Sequence, residues 1–441
     1  MNLNTLKAFR HEVYASFTRA KDALFNTVDA LITETAAHSF AELSLSPAFE
    51  RRWSSLYEAF EDGRIERERL QATFMHYLPL PAPGQRLLWG IDASSIGRPQ
   101  SKTAADRLTL PVPNLPQSRT VPLTVGWQFS TLVVLPQSPS SWCYILDSRR
   151  IASHQTAAEV AAEQLRETLV RLAPAMRPLL VGDRYYPSAS FLRAIGPLPL
   201  DSLLRSKRNR VFYRSAPPPS GKRGAPRKDG ARFACQDEKT HGVPDAQWQG
   251  VDEQGQRLLV ERWDHLHVKQ AREVELSVYR LTRLAAAESA RRPRISWFIW
   301  TGAQLLPPEQ VRATYGSRFG IEHSYRFEKQ HLLWDAPRLR TPEQFERWTQ
   351  IVAIAHNHLL LARPLVQASR QPWERSTRPV TPQQVRRGMA KFLATLGTPA
   401  RRPQPRGKSP GRAKGTQVRQ ASRFPVVKKT KPKPTKRLKS A

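Results

Sequence analysis

Apolar positions recur at helical spacing through the first 76 residues, most clearly in LKAFRHEVYASF and FERRWSSLYEAFED. Pro79, Pro81 and Pro83 close that stretch. The pattern then changes. RLLWGIDAS (86–94), TVPLTVGWQFSTLVVL (120–135) and SWCYILDS (141–148) are rich in β-branched and aromatic residues and bounded by Pro and Ser, which predicts three strands. A helix is expected from about 156 to 173, opened by a capping box from Thr156 to Glu159. RPLLVGD (177–183) and DSLLRSK (201–207) add two more strands, with a helix starting near Pro187 between them. Strands and helices in that order predict a mixed α/β sheet covered by helices.

Residues 208–302 break the pattern. A Pro/Gly/basic loop, PPPSGKRGAPRKDGARF (217–233), precedes three strand-like pieces, RLLVERWDHLHV, EVELSVYRL and RISWFIWTG, and the segment reads as a β-rich insertion. From Pro307 the chain turns helical again, with one helix over 308–334 and another from Thr341 to about Leu361. The divisions are therefore an N-terminal helical region (1–78), a core in two pieces (84–207 and 303–365), the insertion (208–302) and a C-terminal region (366–441). No internal repeat is visible.

Charge changes the picture. Lys and Arg number 70 against 37 Asp and Glu, a formal net charge of +33, which implies a polyanionic partner and points first to nucleic acid. Residues 398–441 hold 15 Lys or Arg, seven prolines and no acid, so they are expected to be a disordered basic arm. Cys143 and Cys235 match no zinc spacing and are read as inert thiols. No apolar run approaches a membrane span and the N-terminus has no signal-like apolar region, so a cytosolic protein is expected. GKRGAPRKDG lacks the ending of a phosphate-cradling loop, so no nucleotide cofactor is implied.

The stretch GSRFGIEHSYRFEKQHLLWD (316–335) carries the chemistry. On a continuous helix, Tyr315, Arg318, Glu322 and Lys329 fall within a ~60° arc, which sets one carboxylate among two cations and a phenol. Gly316 and Gly320 weaken such a helix and suggest close approach by DNA or another strand. Two aspartates follow apolar runs at strand ends, Asp92 in LLWGIDASS and Asp183 in LLVGDRYYP. Asp147, ending YILDS, is the local look-alike. His356-Asn357-His358 spells a nuclease-like triplet but lies inside an apolar helix and is read as structural. His265 and His267 lack a third metal-ligand partner.

With these residues in view, the spacing Tyr315, Arg318, Glu322, Lys329 resembles the Y-(2)-R-(3)-E-(6)-K signature of DDE transposases of bacterial insertion sequences. The resemblance covers roughly residues 86–360. It implies an RNase H-like core in which Asp92, Asp183 and Glu322 hold two Mg²⁺ ions, with Mn²⁺ able to substitute. It implies DNA contacts by Tyr315, Arg318 and Lys329. Arg98, in the loop that continues from Asp92, and Arg227 and Lys228, in the basic loop, are further expected DNA contacts. In that basic loop Asp229 stands where the family usually has His. Trp297 or Trp300 is the expected stacking partner for a flipped base, with a core role as the alternative. The resemblance further implies binding to terminal inverted repeats and target DNA, cut-and-paste transposition, a homodimer on the paired ends, and a bacterial, nucleoid-associated setting. The alternatives are an RNase H-like nuclease that cuts without joining and a non-catalytic DNA-binding derivative.

Overall fold

The computed structural model of the 441-residue chain describes all residues except 113–121, 138–139, 219–225, 285–293, 376, 378, 405–410, 412, 418–419 and 429–441. The N-terminal region forms α1 (Leu3–Ala15), β1 (Phe17–Arg19), α2 (Lys21–Thr33), α3 (Phe40–Leu43), α4 (Trp53–Asp62), β2 (Arg64–Ile65) and α5 (Arg67–His76). Asn2 caps α1 by accepting from the Thr5 amide at 2.9 Å, which satisfies one of the donors that a helix start leaves free.

The core begins with β3 (Leu88–Gly97), β4 (Leu108–Pro111), β5 (Leu123–Val134) and β6 (Tyr144–Ile151). After it come α6 (Ala157–Leu169), β7 (Leu179–Gly182), α7 (Ala189–Ile195) and β8 (Asp201–Ser206). Thr156 and Glu159 form the expected capping box on α6. The central strands lie in the order β6-β5-β3-β7-β8, with β3, β7 and β8 parallel and the other neighbours antiparallel. This mixed sheet flanked by helices is consistent with an RNase H-like DDE fold.

Six strands follow: β9 (Val211–Arg214), β10 (Arg232–Ala234), β11 (Ala246–Val251), β12 (Arg257–Val268), β13 (Ala271–Arg283) and β14 (Arg294–Thr301). The β-rich character of 208–302 is as expected, but these strands do not form a separate sheet. β14 hydrogen-bonds antiparallel to β8, so all of them extend the core into one 12-stranded sheet. Strand periodicity gives each strand a face but not its neighbour, which is why this continuity escapes the sequence.

The chain closes with α8 (Val311–Gly316), α9 (Phe319–Gln330), α10 (Pro342–Ala362) and α11 (Pro382–Leu396). The single helix expected over 308–334 is instead a 3₁₀ turn (Pro308–Gln310) and two α-helices separated at Ser317 and Arg318. Thr341-Pro342 and Thr381-Pro382 each open a helix with Pro in its first turn and Gln closing a capping box.

α2 is buried along most of its length between α10 and α11. An ion pair buried on both sides, Arg10 to Asp29 at 2.6 Å, ties α1 to α2, and Arg10 also donates to the Gly397 carbonyl beyond α11. The N-terminal helices thus share one apolar core with the sheet layer. The tail expectation needs a correction in part. Phe424 N–H donates to the Lys102 carbonyl at 2.9 Å and Val427 N–H to that of Arg107 at 2.8 Å, with a parallel bridge from Val427 to Leu108. Backbone hydrogen bonding to the core is what a charge count cannot register. The most basic part, 429–441, lies outside the described residues.

Candidate active site

β3 and β7 run parallel in a register that pairs Leu88 with Leu179 and Ile91 with Gly182. The next step of that register sets Asp92 beside Asp183, on neighbouring strands roughly 4.8 Å apart. Both aspartates follow all-buried apolar runs; Asp183 comes directly after the end of β7, whereas Asp92, expected at a strand end, sits within β3, which stays paired with β5 as far as Gly97. Asp183 accepts from the Tyr185 amide at 2.8 Å, which turns the chain away from the strand end.

α9 brings Glu322 over the same place. A Cβ on Gly90 would lie 2.6 Å from the Ile321 Cδ1, so the absent side chain of β3 is what lets α9 rest on the strand. Gly320 plays the matching part on the helix, where an added Cβ would come within 3.0 Å of the Cys143 sulfur. Close packing against the connection between β5 and β6, at Pro136, Ser140 and Cys143, therefore accounts for this glycine, rather than DNA or another strand.

Arg318, in the short break before α9, joins the acids. It donates to Asp92 at 3.2 Å and to Glu322 at 3.0 Å, and it is largely buried. Burial pulls its pKa down, but Asp92, Tyr315 and Glu322 outweigh that and hold it above the ordinary arginine value. Asp92 is pushed up to about 6. Burial is the main cause, Arg318 opposes it, and the Asp183 and Glu322 carboxylates add to the rise. Three acids and one arginine thus sense one another at a single site.

A hard divalent cation takes oxygen ligands, and three carboxylates are the donor set it prefers. In this conformation, however, no three Asp, Glu, His or Cys side chains among the described residues are gathered closely enough to ligate a metal. The Arg318 guanidinium stands as the cation between Asp92 and Glu322. The residues fit such an ion by chemistry, and this arrangement holds them with an arginine instead.

The other expected site residues fall in different places. Tyr315 packs against Phe298 with ring centroids 4.7 Å apart, beside Arg318. Lys329 donates to the Ser95 carbonyl at 3.1 Å and lies over the Trp334 ring, and burial lowers its pKa. Arg98 is only 6% exposed. It donates to the carbonyls of Gly97, Asp335 and Pro337, so it ties the loop after β3 to the segment after α9 and faces no open surface. Trp297 and Trp300 are 2% and 1% exposed, so both occupy the core and present no ring to a base in this structure. The reason is the added sheet: β14 is an interior strand, flanked by β13 and β8. Arg227 and Lys228 are exposed beside Asp229, which accepts from His267 at 2.9 Å and from Arg272 at 2.6 Å. Part of that loop, 219–225, lies outside the described residues.

Residues set aside on sequence grounds stay structural. Asp147 is buried against Arg149 and Gln164. His356 bonds the Cys143 carbonyl, Asn357 bridges the N–H and carbonyl of Ile145, and His358 meets Arg10.

Two tyrosines escaped the sequence reading. Tyr325 donates to the Asp92 carbonyl at 3.0 Å from within the core. Tyr186 is buried; burial and the Asp92 and Asp183 carboxylates push its hydroxyl well above the ordinary tyrosine value, and a hydrogen bond with Ser130 opposes them. The only available signal is position, three residues after Asp183, and the equally placed neighbour Tyr185 is exposed.

Residues 12–267 match the family model of DDE superfamily endonucleases, and the chain belongs to that family. The matched residues include Asp92 and Asp183 and end before Glu322. No curated protein matches the chain. Among the described residues, no helix is long and apolar enough to cross a membrane.

Proposed function

We propose that this endonuclease-family chain is a DNA transposase of the Y-(2)-R-(3)-E-(6)-K group, which binds transposon terminal inverted repeats, cuts them and joins them to target DNA. The observation that carries the proposal is the register of Asp92 beside Asp183 with Glu322 overhead, linked through Arg318. Asp92, Asp183 and Glu322 would hold the metal, with Mg²⁺ the expected ion; once bound, it would supply Lewis-acid stabilisation of the attacking and leaving oxygens of an in-line displacement at phosphorus. Arg318 and Tyr315 then contact the DNA phosphates, Arg318 leaving its carboxylates to do so. Tyr325 and Gly90 fix where Asp92 and Glu322 stand. Two copies, one per transposon end, make the working assembly.

The test uses the full-length protein, Mg²⁺ and DNA carrying the terminal repeats that flank the reading frame. Cleavage by the wild type and its loss in Glu322→Gln are expected; normal cutting by the variant sinks the site assignment. A pre-cleaved end separates the readings further. Strand-transfer product supports a transposase, whereas cutting without joining supports a nuclease.

A further inference from the structure

A cleft of about 1100 Å³ opens between residues of β8, β11, β12 and β13 and the helices α8 and α9, and Glu322 lies on its wall. Arg205 of β8, Arg283 of β13 and Arg312 of α8 line it, with Trp248 of β11 and the exposed Phe319 of α9. Arg294 lies directly opposite Arg283 in the β13–β14 ladder, on the same face. Like charges set directly across two antiparallel strands destabilise a sheet. Here the pair is joined by Arg205 and Arg312, and the mutual repulsion reaches Arg283, whose pKa burial and then Arg312 and Arg294 hold below the ordinary value. Asp252 pairs with Arg312 at 3.5 Å, while Glu253 and Glu309 stand elsewhere on the wall. Among the described residues, Arg205, Arg283 and Arg294 have no ion-pair partner.

Three arginines without an ion-pair partner among the described residues, with Asp252 the carboxylate acting on Arg283, suit an anion that arrives later. We propose that Arg205, Arg283 and Arg294, with Arg312, form a phosphate-binding track for a DNA strand running along the cleft toward Glu322. Arg312 and Glu322 are ten residues apart in a nearly continuous helical stretch, roughly 15 Å along its axis, which is room for more than one phosphate. The aromatic rings of Trp248 and Phe319 offer faces to bases of a strand that is unpaired there. The inference rests on the nuclease reading above and adds the path of the substrate outside the carboxylates.

The test measures the affinity of the full-length protein for a fluorescein-labelled duplex with an unpaired overhang, and for a blunt duplex, as a function of salt. Removing one arginine from a phosphate lowers the slope of log affinity against log salt by about one. Arg283→Gln/Arg294→Gln is expected to lower it by about two and to weaken binding at least tenfold, more for the overhang than for the blunt DNA. Arg193→Gln, a surface arginine paired with Glu273, serves as the control and leaves the slope unchanged. Melting of the DNA-free protein gives a second readout: the double variant melts at or above the wild-type temperature, because repulsion has been relieved. A purely structural role predicts a lower melting temperature and an unchanged slope, and that outcome overturns the inference. If the double variant binds as the wild type does while Glu322→Gln still abolishes cleavage, the track is wrong and the nuclease reading stands. A wild type with no salt-dependent affinity for either DNA overturns both.

Discussion

Arg318 reaches from the break before α9 to the Asp92 carboxylate on β3, 3.2 Å away, and so links two parts of the chain 226 residues apart. A guanidinium in that position competes with any metal ion for the same oxygens. In Arg318→Gln, Mn²⁺ binding without DNA, followed by electron paramagnetic resonance, is expected to tighten on the order of tenfold, or about 1.4 kcal/mol. Adding DNA is expected to tighten Mn²⁺ binding to the wild type but not to the variant. Equal affinities in all four cases count against the arginine as a competitor.

Asp92 supplies the pH prediction. Its carboxyl titrates at about 6 in the folded protein against 3.8 as its ordinary value. A raised acid pKa means that the folded state binds the proton more tightly than the unfolded one. Without metal, stability is therefore expected to fall as pH rises from about 4 to about 6, and to stay lowered above that. The shift corresponds to at most about 3 kcal/mol. Asp92→Asn should flatten this part of the profile in urea unfolding and raise stability at neutral pH, while abolishing cleavage. An unchanged profile means that the carboxylate is not held as described.

Gly90 offers a geometric test. A methyl group there meets Ile321 at 2.6 Å and Leu135 at 2.9 Å, so Gly90→Ala must push α9 off β3. Overpacking of this kind costs about 1–3 kcal/mol. Cleavage should fall by more than the stability loss explains, because Glu322 moves with Ile321. A variant as stable and as active as the wild type would falsify the packing described here.

Arg98 separates structure from substrate binding. Its guanidinium spans three carbonyls in the core, so Arg98→Ala is expected to lower stability by about 2 kcal/mol or more. The readout is urea denaturation beside DNA affinity measured well below the midpoint. Weakened affinity with stability intact points back to a direct DNA contact.

The Tyr186 hydroxyl is buried beside the Ser130 side chain. Tyr186→Phe removes that hydroxyl at no loss of volume and is expected to cost about 1 kcal/mol in stability. Unchanged stability in denaturant titration means that the hydroxyl is unbonded in solution.

Much of this was legible in the chain. Asp183 was legible as a candidate because an apolar run ending in Gly-Asp describes a buried strand that stops; the same rule picked out Asp92, but its strand runs on to Gly97. Glu322 was legible as a candidate from its spacing to Arg318, which pairs with it, although the continuous helix expected over 308–334 is broken and Lys329 turns to the Ser95 carbonyl. The burial of Arg98, Trp297 and Trp300 was not legible, since a local pattern gives a residue's own face and not what a distant segment lays over it. The same limit hid Arg205, Arg283 and Arg294. They lie up to 89 positions apart, and only strand pairing makes them neighbours. The break at Ser317 and Arg318 was invisible for a different reason: both residues keep right-handed helical angles, so nothing in their chemistry announces it.

The ladder between β8 and β14 has a mechanical corollary. Because the segment from 208 to 302 is stitched to the central strands by main-chain bonds rather than by a hinge, Arg283 and Arg294 keep their spacing from Asp92 and Glu322. On the proposed track, the entropy lost on association would then fall chiefly on the nucleic acid, the partner without a fixed shape.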